Sequence, residues 1–232
     1  MLPRNPYVDG EYAAKNPLWH VDESAFKARH ILRMLERHAL EPRTIGEVGC
    51  GAGEVLRLLQ AKMDRGCRFW GYDIAPHALE MCRSRANDRL QFKLADIRED
   101  DTAFFDLMLV LDVFEHVEDY LGFLNGIRSK SEFKIFHIPL DLSVQAVLRK
   151  RGLLKRREVH RHLHYFTKET ALETLRDAGY DVLDHVFTPR CIELGNETAQ
   201  KVARLPRRLC FAIHRDLTVR VLGGYSLLVL AA

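Results

Sequence analysis

The chain has 232 residues, 47% hydrophobic and 29% charged. This suits one α/β domain with a modest appendage and a real core, and excludes a disordered or low-complexity chain. The formal net charge of +3 is too mild to imply a nucleic-acid partner by itself. Five scattered cysteines (Cys50, Cys67, Cys82, Cys191 and Cys210) form no CxxC pair, which argues against a disulfide framework or a cysteine zinc site and suits reduced thiols in a cytoplasmic setting.

Residues 1–20 are rich in Pro, Asn and aromatics and read as an irregular arm without the apolar core of a signal peptide. Asp22 or Ser24 is placed to cap a helix through about residue 38, with Phe26, Ile31, Leu32 and Leu35 on its apolar face. Together, residues 1–40 form a cap on a main domain over 41–232. Strands are then expected at 44–48, 68–72, 90–94, 106–111 and 133–138, alternating with helices at 54–62, 76–87 and 120–129. The runs at 106–111 and 133–138 are strongly apolar, as strands buried on both faces are.

After Pro139 the alternation breaks, and residues 141–164 read as an inserted helical lid. A helix at 167–178, capped by Thr167 and stopped by Gly179, precedes a strand at 181–187. Residues 190–222 form a long connection containing helix, and a final strand starts near Tyr225. The run 226–232 is far shorter than the roughly 20 residues that span a bilayer and reads as a buried strand. The pattern describes a doubly wound, seven-stranded α/β sheet, mostly parallel, with the last strand returning antiparallel beside its predecessor.

The most informative stretch is Glu47-Val48-Gly49-Cys50-Gly51-Ala52-Gly53. Glycines at alternate positions between a strand and a helix allow a tight turn and a close approach of backbone to ligand. The spacing is not the longer G-x-G-x-x-G of dinucleotide sites, because Glu54 occupies the last position counted from Gly49. Glu47 would repel a pyrophosphate and suits a ligand with a positive amino group.

This loop resembles motif I of class I S-adenosylmethionine-dependent methyltransferases, and the resemblance continues in order along the chain. Gly71-Tyr72-Asp73 matches the acidic end of the second strand, which in that family takes the ribose hydroxyls; the acceptor oxygens of Asp73 fit a vicinal diol. Leu94-Ala95-Asp96-Ile97 matches the third-strand end, beside the adenine. Asp112-Val113-Phe114-Glu115-His116-Val117 matches the fourth-strand motif, beside the methionine part of the cofactor. The resemblance implies a Rossmann-like fold, S-adenosylmethionine as cofactor, and a cofactor set of Glu47, Gly49, Cys50, Gly51, Gly53, Asp73, Ile74, Asp96, Ile97, Asp112, Val113 and His116. All lie at the carboxyl ends of expected strands, where open α/β sheets bind ligands. The segment His137-Ile138-Pro139-Leu140 lacks the Asn-Pro-Pro-Tyr type signature of amino-methylating nucleic-acid enzymes.

Methyl transfer from a sulfonium needs mainly alignment, but an oxygen or nitrogen acceptor must also lose a proton, and histidine is the usual carrier. His137, His164 and His116 are the candidates, each with an alternative role in packing. Tyr12, Trp19 and His20 of the arm and His162 and Tyr165 of the lid are expected to line an acceptor pocket. Alternating His160, His162 and His164 could share a strand face toward a metal, but only Glu158 stands near in sequence, and no metal is expected.

The basic stretch 149–157 and Arg204, Arg207 and Arg208 read either as solvated helix faces or as recognition of an anionic acceptor, small or carrier-borne. Docking on anionic lipid through Leu148, Leu153 and Leu154 is a further reading. Nucleic acid is disfavoured, since no aromatics interleave the cations. Two rivals to the methyltransferase remain: a Rossmann-type nicotinamide oxidoreductase and a non-catalytic module that keeps the cofactor fold.

Overall fold

The computed structural model describes residues 6–149, 151–194 and 198–232, with 198–203 described as backbone only. The sheet has seven strands: β1 (Thr44–Val48), β2 (Arg68–Asp73), β3 (Leu90–Leu94), β4 (Phe105–Leu111), β5 (Ser131–Pro139), β6 (Val182–Thr188) and β7 (Ser226–Ala231). Their spatial order is β3-β2-β1-β4-β5-β7-β6. β1 to β5 pair in parallel, while β7 runs antiparallel to both β5 and β6.

The helices are α1 (Glu11–Lys15), α2 (Val21–Arg37), α3 (Glu54–Gln60), α4 (Pro76–Cys82), α5 (Tyr120–Arg128), α6 (Val144–Leu148), α7 (Gly152–His160), α8 (Lys168–Asp177), α9 (Arg190–Glu193), α10 (Thr198–Ile213) and α11 (Arg215–Leu222). Side-chain alternation divides the core into two layers. Leu107, Leu109 and Leu111 of β4 meet Ile31 and Leu35 of α2 and Leu56 and Leu59 of α3. Met108 and Val110, pointing the other way, meet Leu124 and Ile127 of α5 and Leu172 and Leu175 of α8. β7 repeats this, with Leu228 and Leu230 in the first layer and Leu227 and Val229 in the second. Past Asp106 in β4 and Ser226 in β7, both strands are apolar because both faces are covered.

The antiparallel return has a simple cause. β6 runs parallel to β5, and α9, α10 and α11 all follow at the end where β6 stops. The chain therefore re-enters from that same end and runs back. It enters between β5 and β6 rather than at the sheet edge, so β7 has two partners and not only the expected one.

Local starts and stops differ in places. α2 begins at Val21, after Trp19 and His20 in left-handed backbone (φ 44° and 54°), and its first turn is closed by Glu23 N–H donating to the His20 carbonyl. Asp22 and Ser24 are thus inside the helix, and Ser24 is buried rather than capping. α4 ends at Cys82 and tightens into a 3₁₀ turn at Arg83–Arg85, because Asn87 already bridges to Leu90. α8 has the expected Thr167 cap, reinforced reciprocally by Thr170. The arm holds one short helix, α1, and the lid consists of α6 and α7 followed by extended chain. Residues 1–5 of the arm and Lys150 of the basic stretch lie outside the described residues.

Candidate active site

A cavity of about 510 Å³ opens at the carboxyl ends of the parallel strands, where the sheet order reverses between β1 and β4. The glycine loop forms its floor. Gly49 has φ +64°, and a Cβ there would stand 2.9 Å from Val113. Gly53 has φ +72°, and its Cβ would stand 2.4 Å from the Phe92 ring. These two positions exclude any side chain, and they hold the loop flat against β4 on one side and β3 on the other. Gly53 therefore works from beneath and does not line the cavity, whereas Gly49, Cys50 and Gly51 do.

Acidic groups surround the loop. Asp73, 7% exposed, accepts from Gly51 N–H and Ala75 N–H, both at 2.8 Å. Burial raises its pKa to about 6 despite those amide donors. Glu47 is buried with one carboxyl oxygen unpartnered, and burial pushes its pKa far up. An orphaned carboxyl beside a cavity fits a cationic group on a ligand. Asp96 and Ile97 line the same wall, as does Ile74 beside Asp73. Asp96 is also held by its neighbour Arg98, with Nε 3.0 Å from both carboxylate oxygens.

Asp112, at the end of β4, is the hub of the opposite wall. Its backbone is left-handed, φ 57°, and its N–H donates to the His137 carbonyl. One carboxylate oxygen lies 2.6 Å from Lys27 Nζ of α2, and the other 2.6 Å from His137 Nδ1 of β5. His137 Nε2 is bound to Thr188 Oγ1 at 2.9 Å. Burial alone would lower the Lys27 pKa, but the Asp112 and Glu23 carboxylates raise it above the usual lysine value. Burial opposes ionisation of Asp112 as well; His137 and Lys27 outweigh it and hold Asp112 well below the usual carboxylate range.

His137, a candidate carrier of the acceptor proton, does not line the cavity. The ring is 1% exposed, both nitrogens are engaged, and it sits beneath α2 against Phe26. His164 is likewise outside the cavity: its Nε2 bonds the Val117 carbonyl at 2.9 Å and its ring rests on Tyr120. Tyr165 turns away to donate to the Leu153 carbonyl. His116, His162, Tyr12, Trp19 and His20 do line the cavity. Tyr12 and His20 are joined, Oη to Nε2, at 3.1 Å. Burial, then the neighbouring His162, push the His116 pKa down to about 3.

A family model described as a methyltransferase domain matches residues 18–185. The chain belongs to this methyltransferase family. The solved structures that resemble it share its fold at low sequence identity. One is a chain of the complex between the Haloferax volcanii Trm112 methyltransferase activator and a putative methyltransferase: 18% identical, TM-score 0.67, covering 97% of this chain and 94% of that one. Another is the N-methyltransferase NodS from Bradyrhizobium japonicum WM9, in complex with S-adenosyl-L-homocysteine: 16% identical, TM-score 0.59, covering 92% and 90%. A third is magnesium protoporphyrin IX methyltransferase from Synechocystis PCC 6803, with bound S-adenosylhomocysteine: 16% identical, TM-score 0.59, covering 88% and 81%. No curated protein sequence matches.

The methyltransferase is of class I, with S-adenosylmethionine as its cofactor, and the oxidoreductase reading is set aside. The strand-end landmarks fall around one cavity. Sequence reasoning missed Lys27, Glu23, Arg161, Arg190 and Tyr7, which also line it. Lys27 had a signal, a lysine next to Phe26 and one turn from Ile31 on the buried side of α2. The basic stretch is split in use: Arg156 turns inward to Asp141 at 2.8 Å, while Arg151 pairs with exposed Glu158.

The network predicts strong coupling. Lys27→Met leaves the Asp112 carboxylate without its cation and is expected to cost about 3 kcal/mol of unfolding free energy by urea titration. Adding Asp112→Asn should recover part of that loss. A Lys27→Met cost below about 0.5 kcal/mol would show the pair to be unimportant for stability.

Proposed function

We propose that this methyltransferase moves the methyl group of S-adenosylmethionine to an oxygen or nitrogen atom of a small or carrier-borne acceptor that carries an anionic group. The observation that carries the acceptor class is Arg161. Five cationic residues among those described line the cavity. Lys27, Arg98, Arg156 and Arg190 each have a carboxylate partner, namely Asp112, Asp96, Asp141 and Glu23. Arg161 has no carboxylate partner among the described residues, and it stands in the lid where α7 ends. A guanidinium without an internal partner at a cavity wall suits a carboxylate or phosphate.

In this reading Asp73 receives the ribose hydroxyls, Glu47 the amino group, Asp96 and Ile97 border the adenine, and Asp112, Val113 and His116 border the methionine part. The cofactor supplies the activated methyl on a sulfonium, and the chain supplies alignment and exclusion of water. The arm, through Tyr12, Trp19 and His20, and the lid, through Arg161 and His162, roof the acceptor. Of the three histidines considered for the acceptor proton, His116 alone lines the cavity. A cytoplasmic setting accords with five free cysteines. No helix among the described residues is long and apolar enough to cross a membrane.

Two outcomes are expected. Asp73→Ala should weaken S-adenosylhomocysteine binding about tenfold or more in calorimetric titration, since the ribose hydroxyls lose a charged acceptor. The same titration gives a pH signature. With a free-protein pKa of about 6, Asp73 is ionised above that value, so affinity should be full there and fall as pH drops through 6. Glu47 sits nearby, so Asp73→Asn is the control: it should flatten the part of the profile centred near 6. Affinity independent of pH between 5 and 8 would displace Asp73 from the cofactor.

The acceptor class is tested by turnover of S-adenosylmethionine against paired anionic and neutral acceptors. Turnover is expected with the anionic member of a pair, and Arg161→Gln should raise its KM about tenfold while leaving S-adenosylhomocysteine affinity unchanged. Equal KM values in the variant and wild type would remove Arg161 from the acceptor site.

A further inference from the structure

The mechanism above leaves one buried group without a task. Glu115 follows β4 in the 3₁₀ turn Phe114–His116, is 1% exposed, and has both carboxyl oxygens without a hydrogen-bond partner among the described residues. Its backbone carbonyl is used, accepting from Leu163 N–H at 2.8 Å and His164 N–H at 3.1 Å. Those two bonds draw the extended lid segment after α7 against the turn and bring His162 beside His116, with ring centres 4.9 Å apart.

The outer nitrogen of each ring is already committed. His116 Nδ1 faces the Arg161 carbonyl at 3.2 Å. A carbonyl only accepts, so this nitrogen carries the proton and donates. His162 Nδ1 lies 2.5 Å from Asp141 Oδ2, and Asp141 is paired with Arg156 through its other oxygen. Asp141 is thereby held as the acceptor and His162 as the donor. Both Nε2 atoms are left as bare lone pairs, and His116 Nε2 is 3.9 Å from Glu115 Oε1. One donor atom from each of Glu115, His116 and His162 falls within 4.8 Å of the others. Three electron-pair donors so close together, with no hydrogen-bond donor between them among the described residues, are an arrangement that a cation satisfies.

We propose that Glu115, His116 and His162 bind one divalent transition-metal ion at the wall of the cavity. Two imidazoles and one carboxylate are a donor set for zinc or manganese rather than for calcium, which takes six to eight oxygens. Donors on one tetrahedral ion stand roughly 3.4 Å apart, so the triad needs only a small inward closure. Asp141 and the Arg161 carbonyl supply the outer hydrogen bonds that fix the orientation of ligating histidines. His116 and His162 line the cavity, so the remaining coordination positions face the acceptor.

The role toward the acceptor rests on the methyl-transfer reading; the binding of the ion does not. An acceptor hydroxyl on the ion has a lowered pKa. Its proton leaves to water, its oxygen pair takes the methyl carbon, and the C–S pair returns to sulfur as a neutral thioether.

The test is equilibrium dialysis of the chelator-stripped full chain against Zn²⁺, Mn²⁺ and Ca²⁺, followed by elemental analysis. About one zinc or manganese per chain is expected, with no calcium retained. Glu115→Gln and His162→Ala should each weaken binding at least about tenfold, and Asp141→Asn by roughly tenfold. S-adenosylhomocysteine binding to the stripped wild type and to each variant serves as the separate check on fold and cofactor. Less than about a tenth of an ion per chain in the wild type overturns the site, whatever the variants do. So does affinity within threefold of wild type in variants that still bind S-adenosylhomocysteine.

Discussion

The Asp112 carboxylate is the constraint on which the site depends. It lies at the end of β4 with left-handed backbone and bridges Lys27 of α2 to His137 of β5. A carboxylate there is costly unless it is paired, and its two partners come from different elements. Satisfying it therefore clamps the N-terminal helix onto the sheet at the point where the strand order reverses. The arm then has a fixed root, and Tyr12, Trp19 and His20 reach the cavity from it. On the other side, the turn that follows Asp112 carries Glu115, whose carbonyl holds the extended lid segment at Leu163 and His164. One short segment of β4 thus positions arm, lid and loop together.

Different chemistries occupy different walls of the cavity. The loop, Asp73 and Glu47 form an acidic, amide-rich wall with a buried carboxyl lacking a partner. A second wall, made by the lid and the turn after β4, brings Arg161 and two imidazoles whose Nε2 atoms are free of hydrogen-bond partners among the described residues. This division matches a reaction in which a cationic cofactor is held on one side and an electron-rich acceptor on the other.

Much of this was legible in the sequence, for local reasons. The central strands follow from apolar runs covered on both faces, as in β4 and β7, whereas β3 and β6 at the sheet edges keep exposed and half-exposed positions. The glycine loop was legible because Gly49 and Gly53 meet backbone demands that only glycine satisfies cheaply. Placement of β7 between β5 and β6 was not, since alternation gives a strand its two faces but not its neighbours. The same limit misled for His137. A period of two says that it opposes Phe136 and Ile138, but not that its own face is the one roofed by α2. The Glu115, His116 and His162 cluster joins an adjacent pair to a residue 46 positions beyond it through the extended lid segment, so only its parts were visible: an acid-histidine pair after β4 and an alternating run of histidines. The alternating His160, His162 and His164, from which no metal site was expected, do not share one face, because His164 turns to the Val117 carbonyl.

The central claim is that this cavity holds S-adenosylmethionine. Calorimetric titration of the purified chain with S-adenosylhomocysteine, with NAD as comparison, tests it most directly. The account predicts one site of roughly micromolar affinity, about −8 kcal/mol, for the former and no heat of binding for NAD. Binding of NAD alone would contradict it.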